Sequence, residues 1–192
     1  MVHKKKIKDV KVYSAGGMAT FKGFIRNGLD SSTLINLIIV FDGKSESFKQ
    51  RGFTSPPNLF YYHEISRSEV IGVLINDYGF TKNEAIDALN KLVNEFSLSK
   101  ITRVPDLDAS FELLVEETHK KVVDKNNNKM LEIGVPDVII IAGFLRNNLN
   151  FVHSGDQGFL KTCEELRISS IPTPKRDIDK ENEIKKLMQK KN

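Results

Sequence analysis

Four acidic residues stand at points of the chain where their side chains can act together. Asp30 and Asp156 each follow a stretch that is predicted to form a strand. Glu69 and Asp137 each lie in the first turn of a predicted helix. In α/β folds, ligands bind beyond the carboxyl ends of the parallel strands, where the following helices also begin. We therefore expect the four carboxylates to converge at one edge of a sheet.

Each acid also has a purely structural explanation. Asp30 and Asp156 belong to a residue type that is favoured in helix caps and turns. Glu69, with Ser66 three residues before it, fits a Ser-x-x-Glu capping box. Asp137 complements the positive end of a helix dipole. The functional interpretation therefore depends on all four acids occurring together.

Four carboxylates around one pocket would repel one another and raise the pKa values of some members. A divalent cation removes this conflict, and Mg²⁺ or Mn²⁺ suits the site because both prefer oxygen ligands. Such an ion neutralises charge on a phosphodiester and lowers the pKa of a water that attacks it. We predict a metal-dependent nuclease whose catalytic and metal-binding residues are Asp30, Glu69, Asp137 and Asp156. Whether one or two ions bind stays open.

Two serines stand next to these acids. Ser31 follows Asp30, and Ser154 precedes Asp156 by two positions. Their hydroxyls are suited to hold a carboxylate or a metal-bound water in place. Ordinary capping or turn hydrogen bonds explain them equally well.

Hydrophobic periodicity and turn residues predict the elements that must position these side chains. The predicted strands cover 21–29, 99–104, 149–153 and 167–171. The predicted helices cover 32–41, 66–77, 81–96, 108–124, 136–146 and 159–166, with Asp108 as the cap of the fourth. Strands alternate with helices in the second half, which favours a parallel sheet covered on both faces. We predict a three-layer α/β/α fold with a central parallel sheet.

The positive charge of the chain lies at its two ends. The 192 residues carry a formal charge of +4, but residues 12–174 contain 17 basic and 20 acidic residues. We therefore divide the chain into a basic N-terminal extension (1–20), one folded domain (21–174) and a charged C-terminal tail (175–192). This distribution argues against a protein that coats nucleic acid with a uniformly basic surface.

Cysteine content and hydropathy exclude several classes of protein. A single cysteine, Cys163, excludes a disulfide framework and a cysteine-based zinc module. The longest apolar stretches are far shorter than the ~20 residues that cross a bilayer, and the N-terminus lacks the apolar core of a signal peptide. We expect a cytoplasmic protein that makes no contact with a membrane.

The four acids occur in motifs that follow the order and local contexts of the PIN-domain family. The motifs are Asp30-Ser-Ser-Thr-Leu-Ile, Ile65-Ser-Arg-Ser-Glu69, Pro136-Asp137-Val-Ile-Ile-Ile-Ala142 and Ser154-Gly-Asp156-Gln-Gly-Phe159. The chain resembles a PIN domain from about Phe24 to Ile171. Its first predicted strand departs from the family pattern, since Arg26, Asn27 and Gly28 replace a more apolar run.

The resemblance implies function as well as fold. PIN domains are mostly ribonucleases, and several are the toxins of VapBC toxin–antitoxin pairs. The resemblance therefore implies an endoribonuclease that acts on RNA, either as a toxin with an antitoxin partner or as an RNA-processing enzyme. It also implies a homodimer, since family members often dimerise.

Other features of the sequence bear on RNA less directly. The basic ends are suited to contact phosphates, and solvating tails explain them equally well. The rings of Tyr61, Tyr62 and His63 are suited to stack on bases. A strand with buried rings is the preferred interpretation of that segment.

Two other classes of function compete with the nuclease. A PIN-fold RNA-binding or scaffold protein without turnover is the first, and the intact acids argue against it. A phosphatase that uses a phosphorylated aspartate is the second, but Asp30-Ser-Ser lacks the expected Asp-x-Asp. Serine hydrolysis is poorly supported because the chain has no Gly-x-Ser-x-Gly motif.

Overall fold

The central feature of the fold is a five-stranded parallel sheet. The computed structural model describes residues 10–14, 17–21, 24–39, 58–123, 130–173 and 178–189. In spatial order the sheet contains β5 (Ser99–Ile101), β4 (Asn58–His63), β3 (Ile25–Leu29), β6 (Phe151–Ser154) and β7 (Ser169–Pro172). All four neighbouring pairs of strands are parallel. The predicted parallel sheet is confirmed.

Helices connect the strands and cover the sheet. In the described part of the chain they are α1 (Ser31–Ile39), α2 (Glu64–Asn76), α3 (Lys82–Glu95), α4 (Pro105–His119), α5 (Val135–Arg146), α6 (Gln157–Glu165) and α7 (Ile178–Gln189). A separate antiparallel hairpin precedes the sheet and consists of β1 (Val10–Ser14) and β2 (Gly17–Phe21). Residues 10–14 and 17–20 of this hairpin lie within the predicted N-terminal extension, and α7 lies within the predicted C-terminal tail. Phe21, the first residue of the predicted strand 21–29, belongs to the hairpin and not to β3.

The core divides into two apolar clusters on opposite faces of the sheet. One cluster joins α1, α2 and α3 to Phe60 and Tyr62 of β4. The other joins α4, α5 and α6 to Val152, and Tyr61 of β4 packs against it. Alternate residues of one strand thus point to opposite layers, which confirms the three-layer α/β/α fold. The interpretation of residues 61–63 as a strand with buried rings also agrees, since Tyr62 and His63 are buried.

Helix α2 begins earlier than predicted because a histidine caps it. His63 Nδ1 accepts a hydrogen bond of 3.2 Å from Ile65 N–H, so the helix starts at Glu64 and not at Ser66. A histidine in this role is outside the usual set of capping residues. The prediction that Glu69 lies in the first turn of this helix is therefore wrong, because the earlier start places Glu69 in the second turn. The alternative explanation of a capping box between Ser66 and Glu69 also fails, and Glu69 has another partner.

Helix α4 also differs from its prediction. It begins at Pro105 after Val104 and ends at His119, so Asp108 is not its cap. The Asp108 side chain is instead buried, where it accepts Val104 N–H at 2.6 Å and pairs with Arg146 Nε of α5 at 2.5 Å. This aspartate ties two antiparallel helices together.

The polar residues of β3 are explained by close packing and by one buried network. A Cβ atom on Gly28 would lie 2.6 Å from Leu149 Cδ2 and 2.7 Å from Phe144 Cε2, so α5 and the residues after it leave no room for a side chain. Asn27 is buried, and its Nδ2 donates to Ile25 O at 3.2 Å while its Oδ1 lies 3.2 Å from His153 Nε2.

The C-terminal helix α7 contacts the domain. Ile184 packs against the core cluster formed by α1, α2 and α3, and Lys185 Nζ lies 5.0 Å from the centre of the Tyr78 ring.

Among the described helices, none is long and apolar enough to cross a membrane.

Candidate active site

Asp30 stands at the carboxyl end of the central strand β3 and is held from two sides. Only 5% of the residue is exposed. Its Oδ2 atom accepts hydrogen bonds of 2.8 Å from both Ser32 Oγ and Ser154 Oγ. Its backbone N–H donates to His153 O at 3.0 Å. Asp30 is therefore fixed between the start of α1 and the end of β6.

Three consecutive hydroxyl residues open α1, and each reaches a different part of the fold. Ser31 Oγ donates to Glu69 Oε2 of α2. Ser32 Oγ accepts Gly155 N–H, in the turn after β6, at 2.8 Å. Thr33 Oγ1 donates to a backbone carbonyl of β6 at 2.8 Å. The first turn of α1 thereby connects the elements that carry the acids.

Asp156 follows β6 and is the N-cap of α6. Its Oδ1 accepts Phe159 N–H at 2.7 Å, and its backbone N–H donates to Ser154 Oγ at 3.0 Å. Ser154 therefore contacts both Asp30 and Asp156. The structural explanation of Asp156 as a cap or turn residue therefore accounts for one of its carboxylate oxygens, Oδ1.

Asp137 lies in the first turn of α5. Its Oδ2 accepts Gly134 N–H at 2.8 Å, which satisfies a backbone donor at the helix start. Burial raises the pKa of Asp137 to about 6, against the effect of this hydrogen bond. The negative charges of Asp30, Asp156 and Glu69 also raise it. The structure thus brings Asp137 within electrostatic range of the other three acids.

Burial and neighbouring charges also act on the pKa values of Asp30 and Glu69. Burial raises the pKa of Asp30, and the hydrogen bonds from Ser154 and Ser32 oppose that effect. Burial also raises the pKa of Glu69, where the hydrogen bond from Ser31 lowers it and the charge of Asp30 raises it. Buried carboxylates that repel one another are costly to keep ionised.

The chemistry of this donor set fits a hard divalent cation. It consists of carboxylate and hydroxyl oxygens, which are the donors that Mg²⁺ and Mn²⁺ prefer. Across the described ranges, no three His, Cys, Asp or Glu side chains are grouped closely enough to hold a metal ion by themselves. Water would complete the coordination, as it does in most protein Mg²⁺ sites. The assignment of the four acids as metal ligands stays a prediction.

Sequence reasoning missed two residues at this edge. The sequence predicts that Ser31, the direct neighbour of Asp30, holds a carboxylate of the site. In the structure Ser32 bonds to Asp30, because the helical geometry of α1 directs the Ser32 hydroxyl to this acid. The second residue is His119, whose Nδ1 lies 3.1 Å from Thr162 Oγ1 of α6. Burial lowers the pKa of His119, and the charge of Asp156 opposes this effect.

Comparison with solved structures identifies the fold. The chain is similar to a VapBC2 structure from Rickettsia felis that is bound to a promoter DNA fragment, with a TM-score of 0.55, 13% identity, and coverage of 77% of this chain and 98% of the other. It is also similar to VapBC-1 from nontypeable Haemophilus influenzae, with a TM-score of 0.52, 14% identity and the same two coverages, 77% and 98%. The sequence matches no protein-family model and no curated protein. The structural likeness shows a VapC-like PIN fold.

Proposed function

We propose that this chain is a Mg²⁺- or Mn²⁺-dependent endoribonuclease whose metal is held by Asp30, Glu69, Asp137 and Asp156. One observation carries the proposal: Asp137 is partly buried, and the negative charges of Asp30, Asp156 and Glu69 all raise its pKa. A cluster of partly buried like charges is stabilised by a cation, and a cation at such an edge attracts a phosphodiester. The PIN fold, which is mostly associated with ribonucleases, supports the same function.

The side chains around the acids have positioning tasks in this proposal. When bound, the ion supplies positive charge against the phosphodiester and lowers the pKa of an attacking water. Ser154 and Ser32 hold the Oδ2 atom of Asp30, which fixes the direction of that carboxylate. Ser31 does the same for Glu69. These hydroxyls act on the carboxylates before any substrate binds, so the geometry is set in advance.

The substrate and partners follow from the fold and the charge distribution. RNA is the proposed substrate, with the basic residues at the two chain ends as contacts for its phosphates. The two similar structures are VapBC assemblies, so we propose that this chain acts as a toxin held by an antitoxin protein. An RNA-processing role uses the same chemistry. A homodimer and a cytoplasmic location belong to the same proposal.

A non-catalytic PIN-fold RNA-binding or scaffold protein is the second candidate. It is favoured by one finding, that the acids within the described ranges are not grouped closely enough for three of them to surround one ion. Such a protein would bind RNA through the same fold without cleaving it.

A cleavage assay with a matched variant separates the two candidates. End-labelled single-stranded RNA is incubated with the full chain in Mn²⁺, in Mg²⁺ and in EDTA, and binding is followed in parallel by gel shift. Asp137→Asn removes one charge of the site, whereas Asp106→Asn removes a charge from an exposed first-turn aspartate of α4.

The nuclease proposal expects cleavage by the wild type and by Asp106→Asn with either metal. It expects no cleavage in EDTA and none by Asp137→Asn. Undiminished cleavage in EDTA contradicts the role of the metal. RNA binding without cleavage under all conditions favours the second candidate.

A further inference from the structure

We propose that Ser32 is a positioning residue that locks Asp30 to the turn that carries Asp156, and so fixes the spacing of the two acids for metal binding. This inference rests on the proposed nuclease function. It goes beyond that function because it assigns a task to a residue that neither touches a substrate nor supplies a metal ligand.

The hydrogen bonds of Ser32 have defined directions. A serine hydroxyl has one proton and two lone pairs. Ser32 Oγ donates its proton to Asp30 Oδ2 at 2.8 Å and accepts Gly155 N–H at 2.8 Å. Ser154 Oγ lies 3.4 Å away and donates its own proton to the same oxygen of Asp30. Ser32 is therefore a bridge from the acid to the backbone of the turn.

Three donors converge on one oxygen of Asp30. The hydroxyls of Ser32 and Ser154 donate to Oδ2 at 2.8 Å, and the backbone N–H of Ser32 donates to it at 3.4 Å. These hydrogen bonds fix the direction of the Asp30 carboxylate.

The two serines hold different parts of the site. Ser154 belongs to β6, so its bond to Asp30 joins neighbouring strands of the sheet. Ser32 belongs to α1 and reaches Gly155, the residue directly before Asp156, in the turn beyond the strand. Without the Ser32 hydroxyl, Asp30 Oδ2 keeps the Ser154 hydroxyl and the Ser32 backbone N–H as donors, but Gly155 N–H loses its hydrogen bond to α1. We expect a loss of metal affinity while the sheet stays intact.

The experiment measures Mn²⁺ binding directly and RNA cleavage separately. Mn²⁺ is titrated calorimetrically into the wild type, Ser32→Ala, Ser32→Thr and the control Ser110→Ala, which alters an exposed serine of α4. Cleavage of labelled RNA is then followed for each protein as a function of Mn²⁺ concentration. Circular dichroism confirms that each variant is folded.

Loss of a group that orients a metal ligand typically lowers metal affinity by about 10- to 100-fold. We expect Ser32→Ala to weaken Mn²⁺ binding by about tenfold and to need a correspondingly higher Mn²⁺ concentration for cleavage. We expect Ser32→Thr, which keeps the hydroxyl, to restore both values, and Ser110→Ala to match the wild type. Ser32→Cys keeps a side chain of similar size with a weaker donor, and it replaces the alanine variant if that variant does not fold.

The results distinguish this inference from its premise. A wild type that binds Mn²⁺ and cleaves RNA, together with a Ser32→Ala variant of equal Mn²⁺ affinity, overturns the role of Ser32 alone. A wild type that neither binds Mn²⁺ nor cleaves RNA overturns the proposed function, and the role of Ser32 falls with it. A Ser32→Thr variant as weak as Ser32→Ala shows that packing and not the hydroxyl sets the affinity, which also overturns the inference.

Discussion

The hydroxyl of Ser154 donates a hydrogen bond of 2.8 Å to Asp30 Oδ2, which joins residues 124 positions apart in the chain. The bond crosses from β6 to the end of β3, its neighbour in the sheet. Because Ser154 also accepts the backbone N–H of Asp156, one side chain connects two of the four acids. The edge of the sheet that carries the four acids therefore depends on contacts between strands that are neighbours in the sheet but far apart in the sequence.

The first prediction concerns the stability of the site without metal. Asp137→Asn removes a negative charge from a cluster that repels itself, while the amide oxygen can still accept Gly134 N–H. We expect the melting temperature of the metal-free variant to equal or exceed that of the wild type, and we expect Mn²⁺ to stabilise the wild type more than the variant. Thermal melts with and without Mn²⁺ measure both effects. A melting temperature well below that of the wild type would show that the charge of Asp137 is structural.

The second prediction concerns pH. The pKa of Asp137 is raised to about 6 in the folded chain, so the folded state binds more protons than the unfolded state between about pH 4 and pH 6. The contribution of this group to stability therefore falls as pH rises through that window. Burial lowers the pKa of His153 to about 4, which acts in the opposite direction. The informative quantity is the difference between wild type and Asp137→Asn in their urea midpoints, measured in metal-free buffer at pH 4.5 and pH 7.

We expect this difference to shift in favour of the variant at the higher pH. The His153 contribution cancels because both proteins contain that residue. An equal difference at the two pH values would contradict the raised pKa of Asp137.

The third prediction compares two glycines. Gly28→Ala places a Cβ 2.6 Å from Leu149 Cδ2 and 2.7 Å from Phe144 Cε2, and overpacking of this kind typically costs about 1–3 kcal/mol. A Cβ on Gly72, within α2, meets no other atom within 4 Å, so Gly72→Ala is expected to stabilise by up to about 1 kcal/mol through helix propensity. Urea denaturation measures the free energy of unfolding of both variants. Equal effects would contradict the close packing of α5 on β3.

The fourth prediction concerns the buried pair between α4 and α5. Asp108→Ala leaves the guanidinium of Arg146 without its carboxylate partner and leaves Val104 N–H without an acceptor. The Asp108 side chain is buried, but the Arg146 side chain is 21% exposed and still donates to Thr102 O, so we expect a cost of about 1–3 kcal/mol, which is typical of a polar group left without its partner. Glu117→Ala removes the exposed ion pair with Lys120 on the same helix and is expected to leave the urea midpoint unchanged. If Asp108→Ala unfolds at the wild-type midpoint, the pair does not support the contact between the two helices.

Local signals explain what sequence reasoning predicted correctly. The predicted helices 81–96 and 136–146 correspond to α3 and α5, because the cap residue Thr81 and the first-turn residue Pro136 act on the few residues beside them. The alternation of strands and helices is likewise a pattern of neighbouring segments, and it correctly predicted the three-layer fold. The resemblance of short motifs to PIN domains predicted the fold that the comparisons show.

The incorrect predictions concern side chains that a local sequence pattern assigned to a helix cap but that bond to a residue far away in the sequence. Ser66 and Glu69 have the spacing of a capping box, but His63 caps α2 and Ser31 bonds to Glu69. Asp108 looks like a helix cap, but Arg146, 38 positions away, holds its carboxylate. In each case a carboxylate bonds to a residue far away in the sequence, which the local pattern does not reveal.

By itself the sequence determined most strands and helices of the sheet domain and that Asp30, Asp137 and Asp156 stand at strand ends or helix starts, because periodicity and turn chemistry depend on neighbouring residues. It did not predict the β1–β2 hairpin or the start of α2 at Glu64, which places Glu69 in the second turn of that helix. Only the tertiary structure decided that the Ser32 hydroxyl contacts Asp30 while the Ser31 hydroxyl contacts Glu69, and that Ser154 joins Asp30 to Asp156. The physical reason is that a hydrogen bond depends on distances of about 3 Å. The spatial order of the strands sets those distances, and no local pattern of residues records that order.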